Sequence, residues 1–317
     1  MKPVLCLAPL HGVTNYVFRN AYFKFFKGLD YAVAPFIMSV NSLNTRKNHI
    51  KDLMPDKNKG IKIIPQILSN NPNDFIALCT ILKDYDYNEI NWNLGCPYPM
   101  VANKIRGSGL LPFPQKIEEF LDAVLSKIDI SLSVKIRLGR FNHNEVFNLI
   151  PVFNKFSLTK VIIHPRIGIQ MYDGNVNLDI FEECTKLLKH SIVYNGDIKD
   201  INSFKILANR FSFIEEWMIG RHAVSNPFLA DSIKNNFCEP SQKIVIIKAF
   251  YDELFARYEE VLFGPKHLMD KMKEIWSYLS VSFKNGENLY KKIIITKNIN
   301  EFKTIVSSIF SNEEWIA

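Results

Sequence analysis

The chain has 317 residues, 47% hydrophobic and 22% charged, which excludes a disordered or collagen-like protein. Lys and Arg outnumber Asp and Glu by 39 to 32, a net charge of +7 that permits an anionic partner without requiring one. The five cysteines form no Cys-x-x-Cys pair, so we expect no metal site, no disulfide framework and a reducing, cytoplasmic compartment. No apolar run reaches the roughly 18 residues that a membrane span needs, and we expect no membrane partner.

Eight short apolar runs recur over the first 220 residues, with helix-like segments between them. The runs are Val4–Ala8, Tyr31–Ala34, Ile61–Ile67, Glu89–Asn93, Leu132–Arg137, Lys160–His164, Ile192–Asn195 and Trp217–Ile219. Several are apolar throughout, as expected of strands that are covered on both faces. The alternation predicts an α/β protein with a (β/α)8 TIM barrel. A doubly wound open sheet is the alternative, although its Gly-x-Gly-x-x-Gly motif does not follow the first run.

The pattern changes near Ser241, where long amphipathic segments replace the alternation. The first is Ile244–Leu262, which ends at Phe263-Gly264-Pro265; His267–Phe283 and Asn300–Phe310 follow. Residues 241–317 hold eleven Lys and Arg against ten Asp and Glu, so nearly all the positive charge lies before them. We predict a catalytic barrel over residues 1–240 and a small C-terminal helical domain over residues 241–317.

Polar residues stand at the ends of six of the predicted strands, where a barrel of this kind builds its active site. They are Gln66, Asn93, Cys96, Lys135, Arg137, His164, Arg166, Asn195, Gly196, Asp197, Gly220 and Arg221. Burying an unpaired charge is costly, so a lysine and a histidine at strand ends favour a site over packing. An ion pair for Lys135 and a satisfied core position for His164 are the structural alternatives.

Two features of this set suggest a phosphate-bearing, planar ligand. Gly196 and Gly220 follow the seventh and eighth runs, where such barrels bind phosphate and backbone N–H groups must approach an anion closely; Arg221 adds a bidentate cation. Either glycine alone could simply turn the chain. Lys135 and Gln66 offer polar contacts to a heterocycle, and a cation beside an electron-accepting ring stabilises its reduced form, as in flavoproteins.

Cys96 lies between Gly95 and Pro97 in a loop just after a strand. We expect its thiol to face the mouth of the barrel, whereas Cys6, Cys79 and Cys184 are interpreted as inert core residues.

Together these segments resemble the tRNA-dihydrouridine synthases. The motifs that carry the resemblance are Leu7–Asn15, the cysteine loop Asn91–Pro97, Gly107–Leu111, Lys135-Ile136-Arg137, His164-Pro165-Arg166, Asn195-Gly196-Asp197 and Ile219-Gly220-Arg221, in the family's order. The likeness covers the whole predicted barrel, and Lys273–Leu279 resembles the family's C-terminal helical domain. It is strongest to the bacterial branch assigned to uridine 16.

The resemblance implies an FMN-dependent enzyme that reduces the C5–C6 double bond of a tRNA uridine, with NADPH as electron donor. Pro9, Gln66, Lys135 and His164 would contact the flavin, while Asn195–Asp197 and Gly220–Arg221 would hold its phosphate. Asn93 would position the uracil, and Cys96 would protonate C5 as hydride moves from the flavin to C6. The sequence departs from the family pattern at Leu10, Asn15, Pro35-Phe36 and Pro165.

Basic residues after the fourth to sixth runs suit the phosphates of a large polyanion. Lys104, Arg137 and Arg166 belong to this set, and Lys271, Lys273, Lys291 and Lys292 are candidate RNA contacts in the tail. Two alternatives stay open: an FMN barrel acting on a small molecule, of the dihydroorotate or enoate type, and a non-catalytic RNA-binding relative. We expect a monomer.

Overall fold

The computed structural model describes residues 2–38, 50–235 and 240–317. Its ten strand segments form one parallel sheet that curls into a barrel, in the order β3-β5-β6-β7-β8-β9-β10-β1-β2-β4. They are β1 Val4–Leu7, β2 Tyr31–Val33, β3 Ile37–Met38, β4 Ile63–Ile64, β5 Gln66–Leu68, β6 Glu89–Leu94, β7 Ser131–Gly139, β8 Lys160–Ile167, β9 Ser191–Tyr194 and β10 Glu216–Ile219.

The ten segments make eight barrel staves, because two staves are each interrupted once. Segments β4 and β5 flank Pro65, which has no N–H to donate to a neighbouring strand. Segment β2 pairs with β4 and β3 pairs with β5, so the interrupted staves lie side by side. Each of the eight predicted runs overlaps one stave, and the predicted TIM barrel is confirmed.

Helices cover the outside of the barrel and continue into the tail. They are α1 Tyr16–Phe25, α2 Pro72–Asp84, α3 Pro99–Ala102, α4 Pro114–Leu125, α5 Glu145–Phe153, α6 Leu178–Leu187, α7 Ile201–Arg210, α8 Arg221–Ser225, α9 Leu229–Asn235, α10 Pro240–Val261, α11 Gly264–Leu279, α12 Gly286–Ile294 and α13 Ile299–Asn312. Their starts follow local chemistry: the side chains of Asn15, Asn71 and Asn177 accept hydrogen bonds from backbone N–H groups in the first turns of α1, α2 and α6.

The core has two layers. Outside the sheet, strand and helix side chains interlock, as where the rings of Trp92 and Phe120 stack with centroids 4.0 Å apart. Inside the barrel lies a smaller cluster that includes Cys6, Val33 and Met218. This inner packing forms a floor beneath the carboxyl ends of the strands.

The tail packs against the barrel helix α1. The Phe250 ring of α10 lies 4.9 Å from Phe26 and 5.9 Å from Phe18, measured between ring centroids. The three predicted tail segments correspond to α10, α11 with the turn after it, and α13, whereas α12 was not predicted. Among the described residues, no helix is both long and apolar enough to cross a membrane.

Candidate active site

A cavity of about 260 Å³ opens at the carboxyl ends of the strands. Eleven residues that the sequence singled out line it: Pro9, Asn93, Cys96, Lys135, Arg137, His164, Asn195, Gly196, Asp197, Gly220 and Arg221. They come from six staves and meet because parallel strands end at the same rim of the barrel. Gln66, Arg166, Lys104 and Lys273 do not line this cavity.

The loop that carries Cys96 is held by the side chain of Asn93. The Oδ1 atom of Asn93 accepts hydrogen bonds from the backbone N–H of Gly95 at 3.0 Å and of Cys96 at 2.9 Å. Both acceptor positions of this oxygen are therefore occupied by the loop. The structure gives Asn93 a positioning role, in addition to the substrate contact that the resemblance implied.

Gln66 lies beneath the cavity rather than in its wall. It is fully buried; its Oε1 accepts from Asn93 Nδ2 at 2.7 Å and its Nε2 donates to Asn91 Oδ1 at 2.7 Å. Asn91 Nδ2 in turn donates to Ser133 Oγ at 3.0 Å. Gln66 thus belongs to a buried amide ladder that runs from the barrel interior to the Cys96 loop, and its predicted flavin contact stays a prediction.

Gly107 supports the same loop from the outside. Its φ is +54°, and a Cβ there would lie 2.8 Å from both the Cβ and the carbonyl oxygen of Cys96. The next residue, Ser108, donates its N–H to the Cys96 carbonyl at 3.0 Å. This close approach explains why the Gly107–Leu111 motif accompanies the cysteine loop.

The Cys96 thiol is buried, with 6% of the residue exposed. Burial raises its pKa above the ordinary value and outweighs the opposing effects of the Tyr98 backbone, Arg137 and Lys135. The thiol therefore stays protonated at neutral pH and is able to donate a proton.

Lys135 places an ammonium group in the wall of the cavity. Burial, with a smaller effect from Arg137, lowers its pKa to about 7. Its Nζ has no hydrogen-bond or ion-pair partner among the residues that the structure describes, so the ion-pair alternative finds no support there. A buried cation without a partner is costly, which makes this position suited to an anionic or hydrogen-bond-accepting ligand.

His164 and Arg166 form a network with Asp197. Burial, followed by Arg137 and other nearby cations, lowers the pKa of His164 well below its ordinary value. Arg166 Nη1 lies 3.1 Å from His164 Nε2; a guanidinium only donates, so Nε2 accepts and Nδ1 carries the proton of the neutral ring.

Arg166 is also paired to the one carboxylate of this network. Its Nη2 lies 2.7 Å from Asp197 Oδ2, and Arg221 approaches Asp197 Oδ1 at 3.4 Å. Burial alone would raise the pKa of Asp197, but Arg166 and Arg221 hold it below its ordinary value. Arg166 is 2% exposed, so it positions Asp197 and His164, and the direct RNA contact predicted for it is not supported. Pro165 leaves these contacts intact.

Arg137 is likewise committed to the protein. Its Nε donates to Gly95 O, and its Nη1 donates to the carbonyls of Ile167 and Met171. Burial lowers its pKa to about 10, so it stays charged. Arg137 therefore joins the cysteine loop to the loop after β8. Part of its side chain also lines the cavity, and its predicted substrate contact would be made there.

The two predicted phosphate-site glycines differ in their surroundings. A Cβ on Gly220 would meet Ala8 Cβ at 3.5 Å, at the cavity wall, whereas one on Gly196 would meet Val176 at 3.0 Å and Tyr194 Oη at 3.1 Å. Gly220 therefore leaves room for a close ligand, while Gly196 is required mainly by packing.

Two predicted RNA contacts lie outside the cavity. Lys104 is exposed in the segment that follows the cysteine loop, and its RNA contact stays a prediction. Lys273 is buried, and its Nζ donates to the carbonyls of Ile294 at 3.0 Å and Thr296 at 2.7 Å. Its ammonium caps the end of α12, which corrects its predicted role as an RNA contact.

Sequence reasoning missed several cavity residues, notably Tyr172, Tyr278, His11 and Phe36. The guanidinium of Arg221 lies 4.7 Å from the centre of the Tyr172 ring, and the rings of His11 and Phe36 stack 4.8 Å apart. Tyr278 comes from the tail helix α11. His11, Phe36 and Tyr278 lie in segments that the resemblance covers, but sequence reasoning assigned none of these residues a role, because each reaches the cavity only through the tertiary fold.

The residues that line the cavity suit the ring and the phosphate of a flavin cofactor. An unpartnered ammonium at Lys135 suits the ring, and the space at Gly220 beside Arg221 suits a phosphate. Over the described residues, no three His, Cys, Asp or Glu side chains are placed to hold a metal ion.

Comparison with known proteins identifies the same family that the sequence motifs resemble. The family model for "Dihydrouridine synthase (Dus)" matches residues 6–310. The tRNA-dihydrouridine synthase B of Shewanella oneidensis is 24% identical over 282 residues, which cover 84% of this chain and 86% of that protein. The synthase B of Vibrio vulnificus is 25% identical over 286 residues, covering 86% and 88%. The predicted likeness to the uridine-16 branch stays a prediction.

Among solved structures, morphinone reductase in complex with tetrahydroNAD superposes with a TM-score of 0.52. The identity is 8%, and the match covers 75% of this chain and 88% of that one. At this identity the likeness supports the barrel fold alone.

Proposed function

Because the chain belongs to the dihydrouridine synthase family, we propose that it reduces the C5–C6 double bond of a uridine in tRNA to give 5,6-dihydrouridine. The observation that carries the proposal is that a buried, protonated thiol at Cys96 and a partly buried lysine without a described protein partner, Lys135, line one cavity. Reduction of an alkene needs a hydride and a proton, and this site offers a proton donor beside a place for a reduced cofactor.

The cofactor in this proposal is FMN, with NADPH as electron donor. Pro9, Lys135 and His164 would contact the ring, while Asn195–Asp197 and Gly220–Arg221 would hold the phosphate. A bound flavin supplies the hydride that C6 of the uracil receives. Lys135 and Arg221 would contribute positive charge toward the reduced flavin and its phosphate. Asp197 keeps Arg221 in place through the 3.4 Å contact.

Cys96 is the proposed general acid. Its thiol gives a proton to C5 of the uracil, so that the hydride at C6 and this proton together account for the two hydrogens added. The Asn93 oxygen and Gly107 hold the loop that presents the thiol. Burial keeps the proton on sulfur until the uracil arrives.

A large polyanion suits the mouth of the cavity. Lys104 is exposed and Arg106 is partly exposed in the segment that follows the cysteine loop. A folded tRNA loop must release its uridine from stacking before the ring can enter, at a cost of a few kcal/mol, and contacts to neighbouring phosphates offset that cost. We propose that the protein acts in the cytoplasm as a monomer, and that the barrel over residues 1–240 carries the chemistry.

The two alternatives differ from this proposal in their products. A small-molecule flavin reductase would consume NADPH with an enoate or dihydroorotate-type substrate and leave RNA unchanged. A non-catalytic relative would bind tRNA without NADPH consumption. Family membership, with Cys96 and Lys135 both present, favours the tRNA reductase.

The test incubates the purified, flavin-loaded protein with NADPH and an unmodified tRNA transcript, and quantifies dihydrouridine in the nuclease digest by mass spectrometry. We expect dihydrouridine at one position of the transcript. Bound RNA without dihydrouridine, in a protein that carries flavin and oxidises NADPH, would refute the proposal.

A further inference from the structure

Tyr278 lies in the cavity wall although it belongs to the tail. Its helix, α11, buries Met272, Ile275, Trp276 and Leu279 in the tail core. Tyr278 itself is only partly buried and lines the cavity together with Tyr172 and Arg221. One tail helix therefore contributes a side chain to the site that the barrel strands build.

The position of Tyr278 is at a junction of two cavities. A second cavity, of about 390 Å³, adjoins the first and shares Tyr172, Asp197, Arg221 and Tyr278 with it. Its other residues come mainly from loops and the tail, including Lys199 and Ser277. The second cavity thus lies toward the outside, and Tyr278 belongs to the wall that the two cavities have in common.

Contacts with the barrel fix α11 in this place. Lys271 Nζ donates to the carbonyl of Gly12 at 2.8 Å, in the loop that also supplies Pro9. Just after α11, Ser282 Oγ donates to the carbonyl of Ser225 at 2.7 Å. Because both ends of this part of the tail are anchored, the Tyr278 ring has a defined position at the mouth.

The Tyr278 hydroxyl is available to a ligand. None of the described residues lies within hydrogen-bonding distance of its Oη. The lining of the outer cavity is cationic, with Arg166, Lys199 and Arg221 against Asp197. Glu274, however, lies one turn before Tyr278 on α11, and burial, together with Glu274, raises the pKa of Tyr278. A ring for stacking, a free hydroxyl and nearby cations are together suited to a nucleotide.

We propose that Tyr278 contacts the RNA nucleotide that enters the cavity, so that the tail completes the substrate site of the barrel. The inference rests on the proposed tRNA reduction. We assign the contact to RNA rather than to the flavin because Tyr278 also lines the outer cavity, whereas Lys135 and Gly220 line only the inner one.

The test compares Tyr278→Ala and Tyr278→Phe with Tyr290→Ala, a partly buried tail tyrosine on α12 that lines neither cavity. Three readouts are taken: flavin content, NADPH oxidation without RNA, and the KM and kcat for tRNA. We expect Tyr278→Ala to raise KM for tRNA about tenfold or more, as for loss of a stacking contact, with flavin content and NADPH oxidation unchanged. Tyr278→Phe keeps the ring and should fall between wild type and Tyr278→Ala.

Three outcomes overturn the inference. The first is an unchanged KM in Tyr278→Ala. The second is loss of flavin in that variant, which would make Tyr278 a cofactor contact. The third is an equal effect of Tyr290→Ala, which would show a general loss of tail structure. A wild-type protein that makes no dihydrouridine would instead refute the proposed function, so the two failures are distinguishable.

Discussion

At the scale of single residues, Cys96 combines burial, protonation and a fixed loop. Replacing it with alanine removes the proton donor without a new charge, and a positioned acid contributes roughly 10²–10⁴-fold to rate. We expect Cys96→Ala to keep its flavin and oxidise NADPH normally, yet to form dihydrouridine slower by about that factor. Cys79→Ala, a buried cysteine on α2, is the matched control and should turn over tRNA as the wild type does. Equal turnover in both variants would remove Cys96 from the mechanism.

Lys135 gives a pH-dependent prediction. Its pKa in the free protein is about 7, so the ammonium becomes neutral as pH rises through that value. An ammonium donates more strongly than an amine to the acceptor atoms of the flavin ring, so binding favours the charged form and takes up a proton above pH 7. The phosphate's own second pKa, about 6, lies below this window. We expect the FMN dissociation constant to rise by up to about tenfold per pH unit between about pH 7 and about pH 9.

Titration of flavin-free protein, followed by flavin fluorescence, measures this dependence. Lys135→Met should bind FMN more weakly and with no pH dependence in the window, whereas Lys116→Met, at an exposed position, should behave as the wild type. A wild-type affinity that is constant over the same range would show that the Lys135 charge does not contribute to binding.

The sequence identified the residues at strand ends, but not which of them face the cavity and which bond to the rest of the protein. Cys96 and Lys135 were found because a reactive or charged side chain at a strand end is informative by itself. Gln66, Arg137, Arg166 and Lys273 look equally functional in the sequence, yet their polar atoms bond mainly to the protein. Which atom faces the cavity depends on strand register and loop conformation, and neither is encoded by residue type.

At the scale of elements, the cysteine loop depends on the short segment that begins at Gly107. Alanine at Gly107 meets Cys96 at 2.8 Å in addition to the strain of a positive φ. We expect Gly107→Ala to displace the loop and lower the rate of dihydrouridine formation at least about tenfold, the effect of a small misplacement of a catalytic group. Flavin content should be retained, because the segment does not line the cavity.

The control for this prediction is Gly60→Ala. Gly60 also has a positive φ, +76°, but a Cβ there meets nothing within 4 Å. In both variants an alanine is forced to a positive φ, which lowers the free energy of unfolding by roughly 1 kcal/mol. A melting experiment should therefore show similar losses of stability from this backbone strain. If Gly60→Ala slowed the reaction as much as Gly107→Ala, strain rather than contact with Cys96 would be responsible.

Each of the eight barrel staves could be predicted from the sequence, because strands covered on both faces are continuous apolar runs. The interruption at Pro65 could also be understood from the residue itself. Helix α12 was missed, since it has only nine residues, Gly286–Ile294, and begins at Asn285-Gly286, a pair that is typical of a turn. Short helices carry little periodicity of their own.

At the scale of the whole molecule, the tail is joined to the barrel through an apolar contact at Phe250. This ring is fully buried against Phe18, Tyr22 and Phe26. Truncation of a buried Phe to Ala costs about 3–5 kcal/mol. We expect Phe250→Ala to lower the free energy of unfolding by that amount in a denaturant titration, and to weaken tRNA reduction because α11 loses its support.

Val245→Ala, on the same helix but 67% exposed, is the control and should change stability by less than about 0.5 kcal/mol. A loss of stability for Phe250→Ala no greater than that of the control would mean that tail and barrel are energetically independent. The sequence indicated the tail helices but not this contact, because residues 18 and 250 are brought together only by the fold.

A single-turnover experiment measures whether this barrel delivers a hydride and a proton to a tRNA uridine. The purified protein is reduced with NADPH, and the excess NADPH is removed under anaerobic conditions. The reduced protein is then mixed with unmodified tRNA in one reaction and with a small enoate in another. We expect tRNA to reoxidise the protein and to gain one dihydrouridine for each reduced flavin that is reoxidised. The enoate should react far more slowly. Rapid reoxidation by the enoate, with no dihydrouridine in the tRNA, would contradict the proposed tRNA reduction.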